Sequence, residues 1–255
     1  MLSDKEVNLR ISIDFKLINL FAVLVAIEVL FLLIDNLVSC CGLVTHNKLR
    51  ALVDITLEAN IPTWFSSTQA IVTGIIALLI GHIRKQQAER KKMTGWYLTG
   101  LFFIYLGIDD AAQIHERVST FINDVVKEGS SNGLISSLVD MFPSYHWQVL
   151  FLPVFIIAGV IMLVFIFSEL KQNKALPVFI AAIFCYVFAV GLDYIDGRSY
   201  YYNVLLGLIP LGLPELEHIS RAIEEFFEML GTTLFMMSFL LVYAPIAVQP
   251  IPARD

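Results

Sequence analysis

The sequence predicts an all-α membrane protein: a bundle of six transmembrane helices with short amphipathic helices on its outer face, in one domain over residues 1–255. Two observations carry this. Apolar residues make up 57% of the 255 and charged residues only 16%, where a soluble domain has about 45–50% and about 25%. The charges also come in clumps, separated by apolar runs near the roughly 20 residues that a helix needs to cross a bilayer core. A soluble enzyme, a disordered chain and a disulfide-stapled module are excluded. The net charge of −6 argues against a nucleic-acid partner.

Six stretches fit the length: 17–37, 62–81, 96–115, 147–168, 175–194 and 223–244. Lipid offers no hydrogen bonds to the backbone, so each should be an α-helix. The first follows Lys5, Arg10 and Lys16 as a signal peptide would. It is too long for one and lacks a small-residue cleavage site, so it is expected to be retained. Trp64 opens the second stretch, Trp96 and Tyr97 the third and Trp147 the fourth, as aromatics at the membrane interface do. Between the second and third lies HIRKQQAERKK, with five basic residues and one acid. Placing it in the cytoplasm puts 11 of the 17 basic residues there and leaves 6 on the longer outer loops. Both termini are then cytoplasmic and the protein sits in the cell inner membrane.

The outer connections carry amphipathic pieces: residues 47–59, a polar continuation of the third span over 116–128, and 134–142. Residues 204–213 are apolar, but ten residues are too few to span, and with Gly207, Pro210 and Gly212 they suggest a re-entrant or interfacial segment. Cys40, Cys41 and Cys185 give no disulfide framework and read as small apolar fillers.

Acids within a bilayer cost about 2.5–3.5 kcal/mol each at mid-helix, so their placement is informative. Glu28 and Asp35 lie on the first span, Asp109, Asp110, His115 and Glu116 close the third, and Asp193 and Asp196 close the fifth. The sixth opens with His218, Arg221, Glu224, Glu225 and Glu228. All face the outer leaflet in the orientation above. At 1.5 Å per residue Glu28 lies roughly 12 Å deep, Asp109 roughly 9 Å and Glu228 roughly 6 Å. Asp109, Gln113 and Glu116 fall at i, i+4 and i+7, one stripe of a continuous helix.

Facing carboxylates and imidazoles of this kind bind hard or borderline divalent cations. The candidate metal ligands are Asp109, His115, Glu116, Glu224 and Glu228, in a polar pocket with Glu28, Asp110, Asp193, His218 and Glu225. The blander explanation is a solvated helix start, with Arg221 paired to Glu225 and acids favoured by the dipole. Three functions compete: a divalent-cation site, alone or as part of an enzyme, with a lipid-like or small-molecule ligand; a cation- or proton-coupled transporter; and a non-catalytic subunit or sensor with a structural polar cluster.

No HExxH, GxSxG, Walker loop or CxxC is present. Three segments, EANIPTWFSS (58–67), IDDAAQIHE (108–116) and EEFFEMLGTTLF (224–235), resemble a family of uncharacterised bacterial multi-span membrane proteins. The resemblance implies six helices and no particular activity, and its motifs contain the same acids.

Overall fold

The computed structural model describes residues 4–39, 44, 46–114, 117, 118, 120, 121, 124, 146–171, 173–196 and 212–247. Over these residues it forms seven helices and no strand: α1 (Asp4–Ser39), α2 (Asn47–Val53), α3 (Ile61–Gln86), α4 (Arg90–Ala112), α5 (His146–Leu170), α6 (Ala175–Asp196) and α7 (Leu213–Ala247). Five of them, α1, α3, α5, α6 and α7, are long and apolar enough to cross a bilayer. That marks a membrane protein. The helix α4 falls short where the sequence reading expects a sixth span. Its apolar stretch, 93–108, is held between Arg90-Lys91-Lys92 and Asp109-Asp110.

Two boundaries differ instructively from expectation. The helix α4 is interrupted before 116–128, although the residues described there, Arg117, Val118, Thr120, Phe121 and Asp124, are helical again. It stops at Ala112, and Gln113 takes the left-handed conformation (φ 54°, ψ 41°), its amide bonding to the Asp109 carbonyl. The stripe Asp109–Gln113–Glu116 is therefore broken at Gln113, and Glu116 lies outside the described residues. At the other place, α7 begins ten residues before the predicted span, so His218 and Arg221 are already helical. The expected segments 134–142 and 204–211 lie outside the described residues.

The helices α3 and α4 form a hairpin, turned at Gln87–Glu89 with Ala88 at φ 60°. Glycine sets its closeness. A Cβ on Gly74 would stand 2.6 Å from the Gly100 carbonyl oxygen, and one on Gly107 would stand 2.6 Å from that of Ser67. Small residues let backbones meet in this way where lipid gives no hydrophobic drive to associate. The long helix α7 packs against α3, α6 and α1 and so holds the bundle together. A core of Trp96, Phe103, Phe179, Phe235 and Phe239 joins α4, α6 and α7. Its rings meet edge to face, as at Trp96–Phe239 (5.2 Å) and Phe103–Phe235 (5.2 Å), the geometry that aromatic quadrupoles favour.

Trp96 corrects an expectation. It is not an interfacial anchor but fully buried, with its indole N–H donated to Glu169 at 3.3 Å. Arg84, Glu89, Lys92 and Glu169 complete an ion-pair network there, so two of the basic residues in the α3–α4 turn also have a packing role. Away from the core, Val154, Ile157, Ile161 and Val164 form an exposed apolar stripe on α5, as a lipid-facing helix surface does.

Candidate functional site

The polar residues gather at the end of the bundle opposite that basic turn. There α1 ends, α3 begins, α4 ends and α7 begins. Asp35, in the last turns of α1, meets His218, in the second turn of α7: Nε2 lies 2.8 Å from the Asp35 carboxylate. Asp54, just past α2, completes a group. One ligand atom from each of Asp35, Asp54 and His218 lies within 4.8 Å of the other two. Asp35 is 2% exposed and Asp54 8%, while the histidine is half-buried. Two carboxylates and an imidazole, from three separate elements, are a donor set suited to borderline divalent ions. Asp35 and His218 also floor a cavity of about 250 Å³ between α1 and α7, walled by Leu32, Leu33, Ile219, Ala222 and Ile223.

Asp54 is held by its own loop. Its Oδ1 accepts from the Thr56 amide (3.0 Å) and hydroxyl (2.7 Å), a local capture that ends helices where Asp is followed by a polar turn. Asn60 then locks the loop. Its Nδ2 donates to the carbonyls of Asp54 and Leu57, and its Oδ1 caps α3 by accepting from the Thr63 amide at 3.0 Å. Thr56 thus orients the carboxylate itself while Asn60 fixes the backbone that carries it; hydrogen bonds to a carboxylate tune a metal site where that carboxylate is a ligand.

The cost of the loop sits at Ala59, whose φ of 57° is a left-handed conformation that costs a non-glycine residue about 1–2 kcal/mol. Ala59→Gly should therefore raise the thermal unfolding temperature, gaining about 1 kcal/mol or a little less after glycine's added chain entropy. A lowered melting temperature would show that the loop is not held in this conformation.

The other predicted residues divide into two sets. Asp110 accepts from the hydroxyls of Ser66 and Ser67 on α3, the latter at 2.9 Å. Glu225 lies within electrostatic reach of Glu228, Glu224, Asp110 and Glu58, so α4, α7 and the loop before α3 bring these acids to one place. Asp109 is buried and acts on Tyr105, one turn back on its own helix. Asp193 is half-buried near the end of α6. His115 and Glu116 lie outside the described residues.

Glu28 stands apart, two turns below Asp35 on α1, and has no solvent exposure. Its Oε1 accepts from Gln69 Nε2 (2.9 Å) and from the Thr233 hydroxyl (2.6 Å). Sequence reasoning places Glu28 and His218 in the pocket, notes Asp35 on the first span without giving it a place in the site, and leaves out Asp54, which it assigns to the amphipathic stretch 47–59. The Asp-x-Thr of 54–56 and the Asn-x-Pro of 60–62 are the local signals of a capped loop. A family model described as "Domain of unknown function (DUF8692)" matches residues 17–243. No curated protein and no solved structure matches the chain.

Proposed function

Since the chain belongs to the DUF8692 family, described only as a domain of unknown function, we propose from its own geometry that it is a membrane protein holding a divalent cation on Asp35, Asp54 and His218. The observation that carries this reading is the convergence of three ligand atoms within 4.8 Å, two of them on buried carboxylates. Three protein ligands leave further coordination positions for water or a ligand. The adjoining α1–α7 cavity has apolar walls, suited to a lipid-like molecule whose polar head reaches the cation.

The same reading includes a sixth crossing. Turned back on α3 and packed along it, α4 exposes Leu98, Leu101 and Ile108, so it crosses wherever α3 does. Six crossings place both termini on one side, and the basic α3–α4 turn assigns that side to the cytoplasm of an inner membrane. The Asp35–Asp54–His218 site then opens outward.

The test is metal content of the full chain purified in mild detergent, after equilibration with zinc or manganese. The wild type should hold one equivalent of one of them. Asp54→Asn and His218→Gln should each weaken binding at least tenfold, since outer-shell changes alone cost 10–100-fold. Glu228→Gln should leave the stoichiometry unchanged. Loss of metal in Glu228→Gln with retention in Asp54→Asn would move the site to the acids of α4 and α7, with His115 and Glu116 as its further ligands. A metal-free wild type would reduce Asp35–His218 to a structural contact.

A further inference from the structure

We propose that Glu28, Gln69 and Thr233 form a second site, in the middle of the bundle, for a small monovalent cation: sodium or a proton. The three side chains come from α1, α3 and α7, and all are buried, Glu28 and Thr233 at 0% and Gln69 at 4% exposure. Their donors are fully used. Gln69 Nε2 gives one hydrogen to Glu28 Oε1 and the other to the Thr233 hydroxyl (2.7 Å), which itself donates to Glu28 Oε1. An amide nitrogen has two hydrogens and a hydroxyl one. What remains is acceptors: among the described residues, Glu28 Oε2 and Gln69 Oε1 meet no donor.

Two buried acceptors with no donor left call for a positive partner. An uncompensated buried polar group costs about 1–3 kcal/mol, and a charged one more. No lysine, arginine or histidine pairs with Glu28 among the described residues. From the remaining neighbour, α6, the ionisable group within electrostatic reach is Cys185, itself buried, which supplies no positive charge. Hard cations take oxygen ligands of this kind, and a proton on Oε2 would supply the missing donor. Complete burial excludes a large organic cation. Ionisable residues inside membranes mark ion paths and proton relays by this logic. The site is independent of the Asp35–Asp54–His218 group, which lies about 10 Å further along α1.

The test uses the whole wild-type chain in detergent and an apolar carbodiimide, which reacts with protonated buried carboxyls, read by peptide mass spectrometry at Glu28 against exposed Glu215. For a sodium site, 100 mM sodium chloride should suppress labelling of Glu28 several-fold where choline chloride does not. For a proton site, sodium should have no effect, and the labelling ratio should rise at least tenfold from pH 8 to pH 5.5. Thr233→Val removes one donor to the carboxylate and should shift the sodium or pH midpoint. Absent labelling, or labelling indifferent to both sodium and pH, would overturn the proposal. Metal analysis at the divalent site is unaffected by either result.

Discussion

Gly74→Ala should destabilise the protein by about 3 kcal/mol, and Gly74→Leu should prevent folding. The new Cβ would lie 2.6 Å from the Gly100 carbonyl oxygen and 2.9 Å from the Ile104 amide nitrogen. Both are backbone atoms of α4, which can yield only by moving the helix. Overpacking of an ordinary core costs about 1–3 kcal/mol because side chains give way, and here they cannot. The same change at Gly159 or Gly191, where a Cβ would meet nothing within 4 Å, should be neutral or gain up to about 1 kcal/mol from helix propensity. Thermal melts in detergent of the three alanine variants check the contrast. Equal melting temperatures would mean that α3 and α4 are not in backbone contact at Gly74.

That contact matters for function because the hairpin fixes both polar sites. Gln69 lies between Ser67, whose carbonyl meets Gly107, and Gly74, which meets Gly100. Asn60, which holds the Asp54 loop, caps the same helix. A helix α3 pushed away from α4 would carry Gln69 and the Asp54 loop with it. On the proposed reading, Gly74→Ala should therefore weaken cation binding as well as stability, whereas Gly159→Ala should leave binding unchanged and not lower stability.

Hydropathy made the helices legible because a bilayer core imposes length and apolarity on each span by itself. All six expected stretches overlap a helix. The ends were less legible, since they depend on particular atoms. Nothing in IDDAAQIHE announces that Gln113 turns left-handed and breaks the helical stripe that begins at Asp109. Asp54 continued an amphipathic pattern and was read as helical, while its carboxylate captures the Thr56 amide instead. Pairings between distant segments were hidden altogether. Asp35 and His218 are 183 residues apart, and only the packing of α1 on α7 joins them. The heptad spacing of Gly74 with Gly81 and of Gly100 with Gly107 was the one long-range signal in plain view.

Glu169→Ala should cost about 3 kcal/mol, the second largest single effect. The carboxylate is 8% exposed and receives Arg84 (3.4 Å), Lys92 (3.7 Å) and the Trp96 indole N–H (3.3 Å). Removing one member of a buried pair costs about 3–5 kcal/mol because its partner keeps a desolvated charge. The lower end applies here, since Lys92 is 41% exposed and water screens its share. Glu169→Gln keeps an acceptor for Trp96 and should cost less, about 1–2 kcal/mol. The double variant Arg84→Met, Glu169→Leu replaces the pair by apolar groups and should recover much of the loss. Melting temperatures of the wild type, Arg84→Met, Glu169→Leu and the double variant close a test cycle. Additive single and double changes would show that Arg84 and Glu169 do not interact. A coupling of about 1–2 kcal/mol would show that the basic turn braces α3, α4 and α5 at the end of the bundle opposite the Asp35–Asp54–His218 group.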